Sequence, residues 1–372
     1  MRILLDYRPA LRQRTGVGEY AHELARALVQ TSPGPDEQLV LFSSSLKDRL
    51  AADAVPGAEA VDRRIPNQVL NLAWHRLGWP PAEQLSGGDL SVVHAFHPLL
   101  IPARGAAQVI TVMDLDFLDH PERTSREIRR DYAELARAHA ARAHHVVTIS
   151  ETMASDVHRR LDVPVDRLTV CTPGAPAWSR REREPESGCL LFLGTLEPRK
   201  NLGVLLDAYE RLLAQPPAPP PLVLAGGHSD LADDIVARVS REPLAGHVEL
   251  PGYVNDQQRE ALYRRAIVFV MPSHTEGFGM PVLEAMTVGV PVVIANRGAL
   301  PEVTGTAGRQ FEADDATRLS AILRELLQSP EARQSMREAG WQQARRFDWR
   351  ESAARLRQAW SHAVQARRSG RG

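Results

Sequence analysis

Residues 266–295 read AIVFVMPSHTEGFGMPVLEAMTVGVPVVIA. AIVFVM is an apolar run that ends in turn formers, VLEAM opens as a helix, and PVVIA is apolar again. EGFGMP (276–281) is therefore a strand-to-helix loop in a strand, helix, strand unit, the building block of a parallel α/β sheet.

The rest of the chain repeats that alternation. RILLDY is followed by EYAHELARALVQ, QVITVMDL by REIRRDYAELARAHAARA, and HVVTIS by ETMASDVHRRL. In the second half CLLFLGTL leads into NLGVLLDAYERLLAQ, PLVLAGG into HSDLADDIVARVSR, and HVEL into QQREALYRRA. Arg2 and Leu190 begin corresponding strands 188 residues apart, so the halves share an architecture without a sequence repeat. PGAPAWSRREREPESG (173–188) lies between them, rich in proline, glycine and charge, and reads as an interdomain linker. The expected domains are 1–175 and 189–348, with 176–188 joining them. An amphipathic helix at about 350–368 is long enough to return to the first domain, and the final ARRSGRG reads as a disordered tail.

The bulk numbers agree. A chain of 372 residues exceeds the size at which one core stops growing, and 43% hydrophobic content fills two. Forty-five Lys and Arg against 46 Asp and Glu give a formal charge of −1, which argues against nucleic-acid binding through overall charge. Cys171 and Cys189 have no metal-ligand or disulfide spacing and read as buried, reduced thiols of a cytoplasmic protein. No run approaches the ~18 apolar residues of a spanning helix, and MRILLDYRPA is not a signal sequence.

The loop carries chemistry. Pro281 suits a helix's first turn, so the helix starts near Met280 with Glu284 near that turn. Gly277 and Gly279, flanking Phe278, let backbone approach a ligand, and a helix N-terminus attracts anions such as phosphate. Glu276 and Glu284 can accept hydrogen bonds from hydroxyls at two ends of one molecule, and a nucleotide sugar fits: sugar at Glu276, diphosphate over the loop, ribose at Glu284. The blander alternative makes Glu284 a dipole partner and Glu276 a solvated loop residue. Gly16 and Gly18, between a strand and a helix, are a tight turn or a ligand loop, and lack the third glycine of a dinucleotide fingerprint. Asp114 and Asp116 after VITVM could hold a divalent metal, but the fold that does so needs neither the second α/β half nor the 276–284 loop.

The stretch 271–305, MPSHTEGFGMPVLEAMTVGVPVVIANRGALPEVTG, resembles the signature region of family 4 glycosyltransferases. Further matches fall in the expected order: GTLEPRKNL (194–202) resembles the family's diphosphate-binding loop, and TGVGEYAHEL (15–24) its glycine-rich acceptor-domain loop. VLAGG, LPGYV, VITVMDLDFLDHPE and HVVTISETMASDV also match, and only about 45–90 is weak.

The resemblance implies the GT-B fold, with two facing Rossmann-like α/β domains and a C-terminal helix crossing back to the first. It implies a retaining hexosyltransferase with no cofactor and no required metal, taking a GDP- or UDP-linked sugar, with mannose preferred. Gly194 and Thr195 would lie in the donor loop with Arg199 and Lys200 as diphosphate cations, which fits the charge a leaving diphosphate gains. Gly16, Gly18, Gly277, Phe278, Gly279, Met280, Pro281 and Glu284 join them around the donor, and Glu276 and Asp114 complete the catalytic set.

The chain departs at Met113, where many members have a histidine before the aspartate matching Asp114. That puts the orientation of sugar or acceptor in doubt; His94, His97 and His120 are near only in sequence. The implied acceptor is a glycan or lipid-linked sugar of surface polysaccharide or glycolipid assembly. Leu70, Trp74 and Trp79 in 68–81, with the six arginines of 123–142, suggest peripheral contact with the inner face of a membrane, although interleaved acids also suit a solvated helix. The rivals are a nucleotide-sugar epimerase or phosphorylase-like enzyme on the same fold, and a non-catalytic sugar-nucleotide or glycan binder.

Overall fold

A computed structural model describes residues 1–11, 14, 16–121, 131–227 and 232–370. The chain divides into two compact units, one formed by Met1–Gly174 with Asp348–Gly372 and the other by Ala175–Phe347.

The first unit holds a seven-stranded sheet: β1 (Arg2–Asp6), β2 (Gln38–Ser44), β3 (Glu59–Arg63), β4 (Val92–Ala95), β5 (Ala107–Val112), β6 (His145–Thr148) and β7 (Leu168–Val170), in the spatial order β3-β2-β1-β4-β5-β6-β7. Every pairing is parallel, with Leu4 opposite Val40 on one side and Val93 on the other. Helices cover both faces, which is why the central strands read as unbroken apolar runs. Of these helices, α1 (Val17–Gln30), α2 (Asn67–Leu77) and α3 (Tyr132–Arg142) concern the site. The strand order turns around between β1 and β4, and in such sheets ligands bind beyond the carboxyl ends of the strands at that point.

The C-terminal helix, Trp349–Arg368, belongs to this unit. It buries Ala353, Leu356, Ala359, Trp360 and Ala363, one face at helical spacing, and packs against α1 and β4–β7. Trp360 Nε1 donates to His94 Nδ1 at 3.3 Å, and Arg357 pairs with Glu37 at 2.7 Å.

The second unit has six parallel strands: β8 (Cys189–Leu193), β9 (Leu222–Ala225), β10 (Val248–Gly252), β11 (Ala266–Met271), β12 (Val292–Ala295) and β13 (Arg309–Phe311). Their order is β10-β9-β8-β11-β12-β13, with the switch between β8 and β11. Around it pack α4 (Leu202–Leu213), α5 (Asp256–Arg265) and α6 (Met280–Val288). Both folds are the Rossmann-like α/β architecture expected from the alternation. Cys171 and Cys189 are free and buried.

The segment 176–188 is not a free connector. Arg181 is buried, with its backbone N–H bonded to Val288 O at 3.0 Å and its Nε to Gly289 O at 3.1 Å. Arg337 Nε reaches the same Gly289 carbonyl at 3.3 Å. Two guanidiniums thus meet the negative, carbonyl-bearing end of α6. Arg181, one of the charges that suggested a linker, is thus used to cap a buried helix.

No helix among the described residues is long and apolar enough to cross a membrane.

Candidate functional site

The two loops that the sequence singled out in the second unit leave neighbouring strands. Residues 194–201 follow β8 and 272–279 follow β11, so both rise from the carboxyl side of the switch point. Asn201 binds them together: it takes the left-handed conformation at φ 53°, which asparagine tolerates better than most residues. Its Nδ2 donates to Pro272 O at 3.1 Å and to Ala313 O at 2.8 Å, while His274 N donates to Arg199 O at 2.9 Å.

This stitching brings the candidate cations onto the candidate carboxylate. Lys200 Nζ is 2.6 Å from Glu276 Oε1, Ser273 Oγ donates to the same oxygen at 2.6 Å, and Arg199 Nη1 is 3.3 Å from Oε2. Arg199 Nη1 also reaches Thr275 O at 3.2 Å, and Nη2 pairs with Glu197 at 2.7 Å. Burial by itself would raise the pKa of Glu276, but the charges of Lys200 and Arg199 and the hydrogen bonds from Lys200 and Ser273 outweigh it and hold the pKa below its ordinary value. Glu276 is thus an ionised, buried carboxylate, not a solvated loop residue, and it shares one cluster with the cations expected to serve the diphosphate. From behind, Ala299 N donates to Glu276 O at 3.0 Å, and a Cβ on Gly298 would come within 2.5 Å of that oxygen, so only glycine lets this backing loop so close.

The helix α6 begins at Met280 with Pro281 in its first turn, as expected, and no side chain caps it. Phe278 departs from the donor-contact reading: its ring is buried against Phe347, 5.5 Å between centroids and nearly perpendicular, so only its backbone is left for a ligand. Glu284 lies one turn inside the helix and is buried. Its Oε2 accepts from Tyr263 Oη at 2.8 Å and its Oε1 lies 3.0 Å from Arg259 Nη1. Arg259 in turn stacks 5.3 Å from the ring centroid of Trp178. Burial first, then the Glu284 charge, push the Tyr263 hydroxyl well above the ordinary tyrosine pKa, which keeps it a donor.

In the first unit the candidates are dispersed. Gly16 is the N-cap of α1, and a Cβ on Gly18 would lie 2.4 Å from Pro9 O, so Gly18 is a close-packing glycine. Thr15, in the TGVG motif, is outside the described residues. Asp114 is exposed after β5 and accepts from Asp116 N at 3.3 Å. Among the described residues no three His, Cys, Asp or Glu side chains are placed to share a cation. His94 is buried between Thr111 and Trp360, with its pKa lowered by burial to about 3, and serves the core. His97 is held by Asp6 at 3.1 Å. Residues 122–130, with four of the six arginines of the proposed basic segment, lie outside the described residues.

Two family models match the chain: Glycosyl transferases group 1 over 176–343 and Glycosyltransferase Family 4 over 14–177. The O-antigen chain mannosyltransferase B of Escherichia coli is 30% identical over 376 residues, covering 94% of this chain and 96% of that protein. The chain belongs to the group 1, family 4 glycosyltransferases. A D-inositol 3-phosphate glycosyltransferase of Thermobifida fusca is 32% identical over 316 residues, covering 77% of this chain and 67% of the relative. The solved sucrose-phosphate synthase of Thermosynechococcus elongatus superposes with a TM-score of 0.78 at 18% identity, covering 98% of this chain and 100% of that one, which shows the GT-B fold.

For this glycosyltransferase, sequence reasoning missed Ser273, Asn201, Arg259, Tyr263 and Trp178. Asn201 follows the Arg199-Lys200 pair directly, and a helix-capping residue after PRK was a readable signal. Arg259 and Tyr263 had none, since they meet Glu284 only through tertiary packing.

Proposed function

We propose that the glycosyltransferase binds a nucleotide sugar on its second unit, at the Lys200, Arg199 and Glu276 cluster and the uncapped start of α6, and transfers the sugar to a glycan or lipid-linked acceptor held mainly by the first. The observation that carries this is the 2.6 Å contact of Lys200 with Glu276 at the switch point of the β8–β11 sheet. A lysine has three N–H donors, so Lys200 can hold Glu276 and still serve a phosphate. Glu276 then orients the sugar, Glu284 with Tyr263 and Arg259 sits at the ribose, and the amides of Gly277, Phe278 and Gly279 with Gly194 and Thr195 line the diphosphate.

Retention is the expected stereochemistry. The bond from the anomeric carbon to the leaving phosphate oxygen breaks while the acceptor oxygen bonds to the same face, and the acceptor proton passes to the departing phosphate. Lys200 and Arg199 stabilise the charge that develops there. No metal enters this scheme, so chelation should leave turnover unchanged. Mannose from GDP-mannose is the preferred donor, supported by the mannosyltransferase relative, and surface polysaccharide assembly is the corresponding role.

A peripheral membrane contact is favoured by α2 and the turn after it. Of the residues that suggested this contact, Leu70 and Trp74 are buried in the core and only Trp79 is exposed, but Val69, Leu72 and Leu77 are exposed beside it, and between Asp62 and Glu83 there are three arginines and no acid.

The experiment is thermal unfolding against GDP, UDP, ADP, dTDP and their sugars, for wild type and Glu284→Ala, followed by NMR of the product's anomeric proton. One nucleotide should stabilise the wild type and fail in the variant. A folded sample that responds to none favours a non-catalytic glycan binder, and an inverted product would sink the retaining scheme.

A further inference from the structure

Both oxygens of Glu284 are held, each by a different residue of α5. Arg259 Nη1 lies 3.0 Å from Oε1, and Tyr263 Oη donates to Oε2 at 2.8 Å. The two holders are four residues apart, so they stand one above the other on one face of that helix. A carboxylate offers about four acceptor positions, two on each oxygen, which leaves room for two hydroxyls, and 8% of the Glu284 side chain is open.

One side chain lies against both holders, and it comes from neither α5 nor α6. The ring of Trp178 is 5.3 Å from the guanidinium carbon of Arg259 and 5.8 Å, centroid to centroid, from the ring of Tyr263. An indole face attracts a guanidinium, and a tilted aromatic pair at that distance adds to ordinary packing. Arg259 also pairs with Asp256 at 3.2 Å, but that carboxylate is 67% exposed and fixes the guanidinium weakly.

Trp178 is itself tied down, although it stands in 176–188, where a joining segment was expected. Arg264 of α5 donates through Nη2 to Ser179 Oγ at 2.9 Å and to Ser179 O at 3.1 Å. Arg181 N donates to Val288 O at the end of α6, and on the other side Ala175 N donates to Phe347 O at 2.9 Å. The start of α5 is set by reciprocal bonds of 2.9 Å, Gln258 N to Asn255 Oδ1 and Asn255 N to Gln258 Oε1. Indole, guanidinium and phenol are thus held in one array around the Glu284 carboxylate. Released from the indole, the long Arg259 side chain would regain rotamers, and Oε1 would lose its fixed partner.

We propose that Trp178 is a positioning residue for donor binding: it holds Arg259 and Tyr263 in place, and through them it aims the Glu284 carboxylate at the two ribose hydroxyls. The inference rests on the ribose placement given above and adds to it a residue that acts without touching the ligand.

The test is calorimetric titration of the full chain with GDP, UDP and ADP, each beside its 2′,3′-dideoxy form, which keeps base and diphosphate and lacks both hydroxyls. The wild type should bind one of the three about 100-fold more tightly than its dideoxy form, through two hydrogen bonds to a charged group. Trp178→Leu should weaken that nucleotide about tenfold and leave the dideoxy form unchanged, and Trp178→Phe, which keeps a flat ring, should recover most of the loss. Arg259→Lys keeps the charge without the flat face, so it should show the same selective loss, and the double variant should lose less than the product of the two. Unchanged nucleotide binding in Trp178→Leu, equal weakening of both forms, or losses that multiply in the double variant would each overturn the proposal. The reading beneath it fails separately. A wild type that binds a nucleotide and its dideoxy form alike has no ribose contact at Glu284, one that binds none of the three has no such donor site, and either result removes the proposal as well.

Discussion

Lys200 Nζ and Glu276 Oε1 are 2.6 Å apart, both side chains buried, although 76 residues separate them in sequence. The site thus holds a carboxylate against the cations proposed to meet the donor diphosphate. Glu276→Gln removes that charge and leaves Lys200 buried with a weaker partner, which should cost about 3 kcal/mol of stability. A nucleoside diphosphate would then restore the missing negative charge. The variant should therefore show a larger nucleotide-induced shift in unfolding temperature than the wild type, while turnover falls by about 100-fold. Equal shifts and equal turnover in the two proteins would refute this coupling.

Lys200→Met separates the roles. It strands a buried carboxylate with Arg199 and Ser273, so stability should again fall by about 3 kcal/mol, but here the nucleotide-induced shift should vanish instead of growing. Urea unfolding with and without nucleotide reads both effects, and a retained shift would remove Lys200 from the diphosphate site.

At the other glutamate the hydroxyl can be deleted alone. Tyr263→Phe keeps the packing against Trp178 and Phe269 but leaves Glu284 Oε2 without its 2.8 Å donor. Stability should drop by about 1–3 kcal/mol, and donor affinity should weaken less than in Glu284→Ala. If Tyr263→Phe abolishes donor binding while remaining as stable as wild type, the hydroxyl contacts the ligand directly.

The sequence was legible where a pattern is local. The strands, the α6 start at Met280 with Pro281 behind it, and the amphipathic C-terminal helix all follow from runs and periods within a few residues. What it hid is tertiary. The resemblance put Phe278 among the donor contacts, yet Phe347, 69 residues on, gives its ring a buried seat. The stretch 173–188 read as a linker from its proline, glycine and charge, yet its Arg181 is buried against a carbonyl at the end of α6.

The C-terminal helix is an integral part of the first unit's core. Trp360 is fully buried and its indole donates to His94. Trp360→Ala should cost about 3–5 kcal/mol, through lost burial, a cavity and an orphaned imidazole nitrogen. Removal of the helix from Trp349 onward should leave the first unit unfolded and protease-sensitive. A truncated chain with an intact cooperative transition for that unit would contradict the packing.

Stability should respond to acid in two stages, and the first belongs to histidine. Burial chiefly lowers the pKa of His94 from 6.5 to about 3 and those of His75, His139 and His145 to about 4. In each case the unfolded chain takes up a proton at a higher pH than the folded one. Their contribution is therefore complete above pH 6.5 and is lost as the pH falls through the folded values. For His94 alone the shift corresponds to on the order of 5 kcal/mol. Glu276 and Asp6 are also lowered, from 4.5 and 3.8, so their contributions persist through this range and fade only below pH 4.5. Urea unfolding at pH 8, 6.5, 5.5 and 4.5 should show stability falling already between 6.5 and 5.5, before any carboxylate titrates. His94→Gln, which cannot take up the proton, should flatten that part of the curve at the expense of stability at pH 8. A wild-type curve level from pH 8 to 5 would mean that the histidines are protonated in the folded chain without cost, and would contradict their burial.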